Sequence, residues 1–262
     1  MTIDFHDAAN RSSYAQRSVN DSWKSWLSAR ISFPGKKAAD IGCGGGIYTK
    51  ALIELGAAEA VGIDFSEAML AGAAENCAGL PQIAFWQGTA QHTGLPGGKF
   101  DIILERALIH HLSHPDLLLC FKEAHRLLAD TGMLIVQDRT PEDCLLPGNA
   151  EHIRGYFFEK YRWLAPFETA RRHPDEVVCQ ALAAAGFQTV ETETLWETRA
   201  SYSGMEALRS DLMARTGRSI LHELADRQLE ELCDFIEERA AFKTGGPIVE
   251  KDRWTVWLAV KQ

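Results

Sequence analysis

Short apolar runs alternate with helically spaced apolar positions through the first half of the chain, the pattern of βαβ units and a parallel sheet. KAADI at 37–41 predicts a first strand that runs straight into a glycine-rich loop. From Tyr48 the apolar positions recur at helical spacing as far as Leu55, and Gly56 closes that helix. A second strand is expected over 60–64, followed by Ser66 as the N-cap of a helix through Met69 and Ala73. Further strands are expected over 83–87, 100–105 (FDIILE) and 132–137 (GMLIVQ), with a helix around 117–128 between the last two.

Past residue 138 the pattern breaks. The stretch 139–173 mixes aromatic and basic residues, predicts no regular core structure, and is longer than an ordinary loop. A helix over 176–185 leads through Gly186 to a strand over 189–195. Residues 205–242 form a second interruption, helical in spacing, with Leu208, Leu212, Leu221, Leu224, Leu229, Leu232 and Phe235 as its apolar positions. The alternating run at 254–260 ends the chain as a strand. The expectation is one α/β domain over 1–262: a helical segment within 1–36, a core at 37–138, and insertions at 139–173 and 205–242 forming a candidate lid.

Composition adds limits. The chain has 262 residues, 46% hydrophobic and 24% charged, which is enough to bury a sizeable core. Its formal charge of -9 argues against a nucleic-acid partner, since phosphate binding needs a cationic surface. The opening MTIDFHDAANRSSY lacks a signal peptide's basic start and apolar stretch, and no apolar run is long enough to span a bilayer. A cytoplasmic protein without membrane partners is expected. The six cysteines show no zinc spacing, and Asp138 has no evident partnering Asp or Asn pair, so no metal is expected.

A strand running into Gly-x-Gly-Gly-Gly and then a helix is a nucleotide-type cofactor loop, in which glycines let a ligand approach the backbone closely. Asp64 lies 22 residues after Gly42, where a carboxylate can accept from both hydroxyls of an adenosine ribose. These features alone suit NAD equally. Three details separate the readings: Ile47 stands where a dinucleotide fingerprint wants its third glycine, Asp40 precedes Gly42 by two residues, and seven strands fit a sheet whose last strand inserts antiparallel.

In these residues the sequence resembles the class I S-adenosylmethionine-dependent methyltransferases, in their small-molecule branch. Residues 40–46 match the first motif, 62–66 the second-strand acid, 88–91 the adenine loop and 100–105 the fourth strand. The resemblance implies a seven-stranded, mostly parallel, doubly wound Rossmann-like sheet with an antiparallel terminal strand. It also implies S-adenosyl-L-methionine as cofactor and S-adenosyl-L-homocysteine as product. Gly42 and Gly44 would then pass under the amino-acid end of the cofactor, Asp40 and Cys43 would belong to the same cofactor-binding loop, and Asp64 would hold the ribose. Phe65 and Met69 would flank the adenine, Thr89 or the backbone of Ala90 and Gln91 would meet its amino group, and the Glu105 backbone would take the methionine amine. Tyr14 is the expected contact to the cofactor carboxylate. Thr89 departs from the Asp common in that loop.

Methyl transfer is an in-line displacement that needs alignment, dryness and, for a protonated nucleophile, a base. His111, and after it His110, are the candidate bases, just past the fourth strand on the carboxyl edge of the sheet. The arginines and aromatics of 139–173 suit an acidic or aromatic small-molecule acceptor. A monomer and a homodimer both remain open. The alternatives are a nicotinamide-dependent oxidoreductase and a non-catalytic S-adenosylmethionine-binding regulator.

Overall fold

The computed structural model describes residues 19–240, 242 and 246–262. Among the described residues seven strands form one sheet: β1 (Lys37–Ile41), β2 (Glu59–Asp64), β3 (Ile83–Gln87), β4 (Phe100–Arg106), β5 (Leu128–Asp138), β6 (Thr189–Tyr202) and β7 (Ile248–Val260). Their order is β3-β2-β1-β4-β5-β7-β6. The first five pair in parallel, and β7 runs antiparallel to β5 from Met133 opposite Val260 to Asp138 opposite Thr255. Strands are added to one side of β1 as far as β3 and to the other side from β4, so the loops after β1 and β4 open side by side at the carboxyl edge, the usual place for a ligand in such sheets.

By its contacts the chain divides into two compact bodies. In its described part, the first holds 19–138, 173–194 and 255–262. Its central strands are buried on both faces, as parallel sheets require, with Ile41, Ile63, Ile103 and Val136 packed against Phe121, Leu127, Leu182 and Trp257. Helix α1 (Asp21–Ser28) is anchored by Trp23, whose indole N–H donates to Gln137 Oε1 at 2.7 Å. Helix α2 (Ile47–Glu54) starts at Gly46, and α3 (Glu67–Asn76) is capped by Ser66. Helix α4 (His114–Leu127) is capped by Ser113 and passes into β5 at Leu128 without a loop, four residues earlier than the sequence pattern suggests. Thr131, with φ of +62°, sits at the irregular start of that strand, which hides it from a periodicity reading.

The second body holds 139–172 and 195–254. The first insertion, expected to lack regular core structure, folds into three short helices: α5 (Pro141–Cys144), α6 (Arg154–Lys160) and α7 (Leu164–Thr169). None is long enough to show two turns of apolar periodicity, yet Ile153, Tyr156, Phe157, Phe158 and Leu164 are buried. In the first body, α8 (Asp175–Ala185) follows and ends at Gly186, whose φ is +107°. In the second, α9 (Met205–Met213) and α10 (Asp226–Arg239) bury the leucines expected from their spacing, with Leu208, Leu212, Leu229 and Leu232 in one apolar cluster. Strands β6 and β7 run longer than expected. In the early part of β7 the buried positions are Ile248, Glu250, Asp252 and Trp254, and acids at core positions mask the alternation. Among the described residues no helix is long and apolar enough to cross a membrane.

Candidate active site

The loop after β1 is tied down before it can meet any ligand. Gly42 and Cys43 donate their backbone N–H groups to the Ile63 carbonyl at 2.7 and 2.9 Å, joining the loop to β2. Gly42 has φ of +76°, and a Cβ there would stand 2.9 Å from Leu108 Cδ1. Gly46 also has φ of +76°, and a Cβ there would meet Ala73 Cβ at 2.9 Å. This glycine brings α2 and α3 together rather than receiving a ligand. The Cys43 thiol is buried beside Gly62, and burial pushes it well above the usual thiol range, so only its backbone belongs to the loop.

Asp64, at the tip of β2, is gripped by two amides. Gly44 N–H donates to Oδ2 and Ser66 N–H to Oδ1, each at 2.9 Å. The loop and the second-strand acid are therefore one hydrogen-bonded unit, and a ribose-binding carboxylate would be fixed before the ligand arrives. Asp40 is buried and accepts from the Thr49 hydroxyl at 2.7 Å. Burial foremost, with the nearby Asp64 charge adding to it, pushes the Asp40 carboxyl up to about 7. A cation held over the loop would draw that proton off.

Around the expected adenine position, Phe65 is 49% exposed, and the Met69 methyl lies 3.5 Å from where a Gly44 Cβ would be. Thr89 is held within its own turn: its N–H donates to the His92 carbonyl at 3.2 Å, and its hydroxyl to the same oxygen at 3.4 Å. Ala90 packs partly buried against the core. Glu105, at the end of β4, turns its side chain to α4, where the Cys120 thiol donates to Oε1 at 3.2 Å. Its Oε2 is buried without a partner, and burial pushes the carboxyl up to about 7.

The histidine pair occupies a 3-10 turn at Ile109–His111. Ala107, with φ of +52°, bends the chain out of β4 and donates its N–H to the Gln137 carbonyl at 2.8 Å. A non-glycine residue in that region marks local strain of the kind that collects at functional sites. His110 donates its backbone N–H to Asp138 Oδ2 at 3.2 Å, and its ring Nδ1 lies 2.8 Å from the same oxygen. An ionised carboxylate only accepts, so Nδ1 carries a proton in this contact. The His111 ring is exposed and lies tilted by 41° against that of His110, with centroids 4.0 Å apart. His173 closes the turn, donating from Nε2 to the Ile109 and Leu112 carbonyls, both at 3.1 Å. Sequence reasoning missed Asp138 as the partner of His110, though its place at the end of an apolar strand was the available signal.

On the same edge, Tyr48 receives the Trp23 ring edge-on at 5.0 Å and the Arg106 guanidinium at 4.1 Å. Tyr14 lies outside the described residues. In the second body, the arginines singled out from the sequence mostly meet carboxylates. Arg154 and Arg172 converge on Glu168 at 2.8 and 2.6 Å, joined there by Arg171, while Arg139 meets Asp252 at 2.6 Å. Arg215 ties its turn to the Leu221 and Leu224 carbonyls, a structural role. Among the described residues no group of three or more His, Cys, Asp or Glu is placed to hold a metal.

A family described as "Methyltransferase domain" matches residues 38–132. The chain is 39% identical over 100 residues to a ubiquinone biosynthesis O-methyltransferase of Methylococcus capsulatus, covering 37% of this chain and 41% of that relative. It is 29% identical over 188 residues to a demethylmenaquinone methyltransferase of Lysinibacillus sphaericus, covering 65% and 75%. Against the first of these the match spans less than half the relative's length. Among solved structures, phosphoethanolamine N-methyltransferase 2 of Haemonchus contortus, in complex with S-adenosyl-L-methionine, superposes with a TM-score of 0.61. That likeness covers 99% of this chain and 60% of the other at 14% identity. These matches set the nicotinamide reading aside. Residues 38–132 thus match a methyltransferase domain, and the sheet order is that of the Rossmann-like fold shared with solved methyltransferases.

Proposed function

We propose that the protein methylates a hydroxyl group of a small, acidic or aromatic acceptor, with His110 as general base and Asp138 as its positioning residue. The observation that carries this reading is the 2.8 Å contact between His110 Nδ1 and Asp138, at the carboxyl ends of adjacent strands β4 and β5. With Nδ1 engaged by Asp138, Nε2 is the ring nitrogen assigned as base, which sets His110 ahead of the exposed His111. The names of the quinone-pathway O-methyltransferase relatives support oxygen as the nucleophile.

S-adenosyl-L-methionine supplies an electrophilic methyl on a sulfonium that leaves readily. The chain's own groups do the rest. Gly44 and Asp64 orient the cofactor through the loop and ribose, and Phe65 and Met69 flank its adenine. Thr89 and Ala90 line the adenine loop, and the Glu105 backbone would meet the methionine amine. His110 Nε2 takes the acceptor's hydroxyl proton as the oxygen lone pair forms the new C–O bond and the C–S bond breaks toward sulfur. A hydroxyl that ionises with difficulty needs such a base, whereas a ready thiolate or carbanion does not.

The test is a panel of phenols, catechols and hydroxy acids assayed for S-adenosylhomocysteine release, with the wild type beside His110→Ala and Asp138→Asn. Methyl transfer to a hydroxyl that is lost in His110→Ala and rises again with acceptors of lower pKa supports the reading. Unchanged turnover in His110→Ala removes the base from it.

A further inference from the structure

The turn that carries His110 has little to hold it from within. It is a short 3-10 turn, entered through Ala107 at positive φ. The His111 N–H donates to the Leu108 carbonyl and the Leu112 N–H to the Ile109 carbonyl, each at 3.0 Å. Bonds in 3-10 turns are poorly aligned, so such a turn keeps its shape where neighbours fix it. Strand β5 fixes its entry and its middle, since the Gln137 carbonyl takes the Ala107 N–H and Asp138 takes the His110 N–H. Both points lie before the exit, where the chain passes Leu112 on its way to Ser113 and α4.

The exit is held from elsewhere in the first body. His173, 64 and 61 residues further along the chain, places Nε2 at 3.1 Å from both the Ile109 and the Leu112 carbonyl oxygens. A carbonyl cannot donate, so this nitrogen carries a proton and shares it between two acceptors on either side of the histidine pair. The His173 ring has firm backing. It precedes Pro174, which narrows its backbone to extended conformations and is the N-cap of α8. Asp175, the first residue of α8, accepts the Trp257 indole N–H at 2.7 Å, tying the helix start to β7. Val178 and Leu182 of α8 share the core with Leu117 and Phe121 of α4, the helix that follows the turn. A water would satisfy the two carbonyls as well, but it would not tie them to a packed helix.

We propose that His173 is a positioning residue of the methyl-transfer site, fixing the exit of the 109–111 turn and with it the direction in which the His110 ring meets the acceptor. Asp138 sets which ring nitrogen is engaged, and His173 sets where the ring stands. The kinetic half of the proposal rests on His110 as the base; the clamp on the turn stands without it. A misplacement of about 1 Å in such a group costs up to about a hundredfold in rate, so the loss belongs in kcat and not in cofactor binding.

The experiment compares the wild type with His173→Ala, His173→Gln and His173→Phe, each checked for its fold by circular dichroism. Gln keeps an N–H donor of similar reach, and Phe keeps a ring without one. The first readout is nitrogen NMR of histidine-labelled protein. The His110 Nδ1–H should exchange with solvent about tenfold faster in His173→Ala and His173→Phe, and return toward the wild-type rate in His173→Gln. The second is S-adenosylhomocysteine release with a hydroxyl acceptor from the panel. Here kcat should fall about tenfold or more without the donor and recover to within about threefold in His173→Gln, while the KM for S-adenosylmethionine moves by less than about twofold. Exchange unchanged in the variants without a donor overturns the clamp. A loss that Gln does not restore, or a KM that rises as kcat falls, overturns positioning in favour of general support of the fold. Should His173→Ala not fold, His173→Phe carries the test. Combining His173→Ala with His110→Ala keeps the two readings apart. A double variant no slower than His110→Ala is expected if His173 acts through His110, and a further fall overturns that route. A wild-type rate in His110→Ala alone removes the base, and the exchange measurement then decides the clamp by itself.

Discussion

The two bodies of this protein bury opposite kinds of material. The first closes on Ile, Leu, Val and Phe from a parallel sheet and its helices, and most of its site acids stand at strand ends: Asp40, Asp64, Glu105 and Asp138. The second also has an apolar cluster, but beside it lies a lattice of the half-buried Arg139 and the buried Arg154, Arg172 and Arg218 with Glu168, Glu250 and Asp252. Backbone geometry and burial shape the cofactor half, and paired charge shapes the other. A cofactor common to many enzymes is well served by a glycine loop and one acid, while discrimination among acceptors calls for particular side chains.

This contrast can be broken by mutation. The largest effect is expected in the first body at His110→Ala, which should lower kcat by about 10²–10⁴ with little change in melting temperature. The rising limb of the pH–rate profile should vanish with it. In the second body the largest effect is expected on stability. Glu168 is held far below the usual carboxylate range by Arg154, Arg172 and Arg171, against the opposing effect of burial. Glu168→Gln leaves those guanidinium groups without their anion and should cost about 3–5 kcal/mol in denaturant unfolding. If the two results exchanged places, with His110→Ala unfolding the protein and Glu168→Gln abolishing only turnover, the division of labour described here would be wrong.

Gly46→Ala comes next. It sets a Cβ at positive φ and 2.9 Å from Ala73, so a loss of about 2 kcal/mol is expected, with cofactor affinity falling as the helix start shifts. The smallest effect concerns Glu105, whose carboxyl is raised to about 7 by burial. The folded state favours its protonated form, so its contribution to stability declines as pH rises from about 4.5 to 7 and is flat above. Glu105→Gln should therefore gain on the wild type across that window, by about 1–3 kcal/mol at most. Melting temperatures at pH 5 and pH 8 decide it; an equal difference at both pH values would remove the buried-acid account.

What could be read from the residues follows the same division. The strand ending in KAADI, the loop at 40–46 and Asp64 were legible because glycine and strand-tip acids leave local marks. The leucines of α9 and α10 were legible from spacing. The three helices of 139–169 were not, since a four-to-seven-residue helix shows no period and its order comes from tertiary burial of Phe157 and Leu164. The early part of β7 was hidden for a different reason: its core positions carry Glu250 and Asp252, whose partners arrive from Arg218 and Arg139, distant in sequence. The pairing of His110 with Asp138 spans 28 residues and depends on strand register, which no local pattern displays.

The claim on which the rest depends is that the loop and Asp64 together form the S-adenosylmethionine site. Calorimetry of the wild type and Asp64→Ala with S-adenosylmethionine, S-adenosylhomocysteine, NAD and NADP tests it directly. Micromolar-range binding of the first two only, weakened about a hundredfold or more in Asp64→Ala, is the expected result. Binding of a nicotinamide cofactor instead, or S-adenosylmethionine affinity unchanged by the substitution, would contradict it.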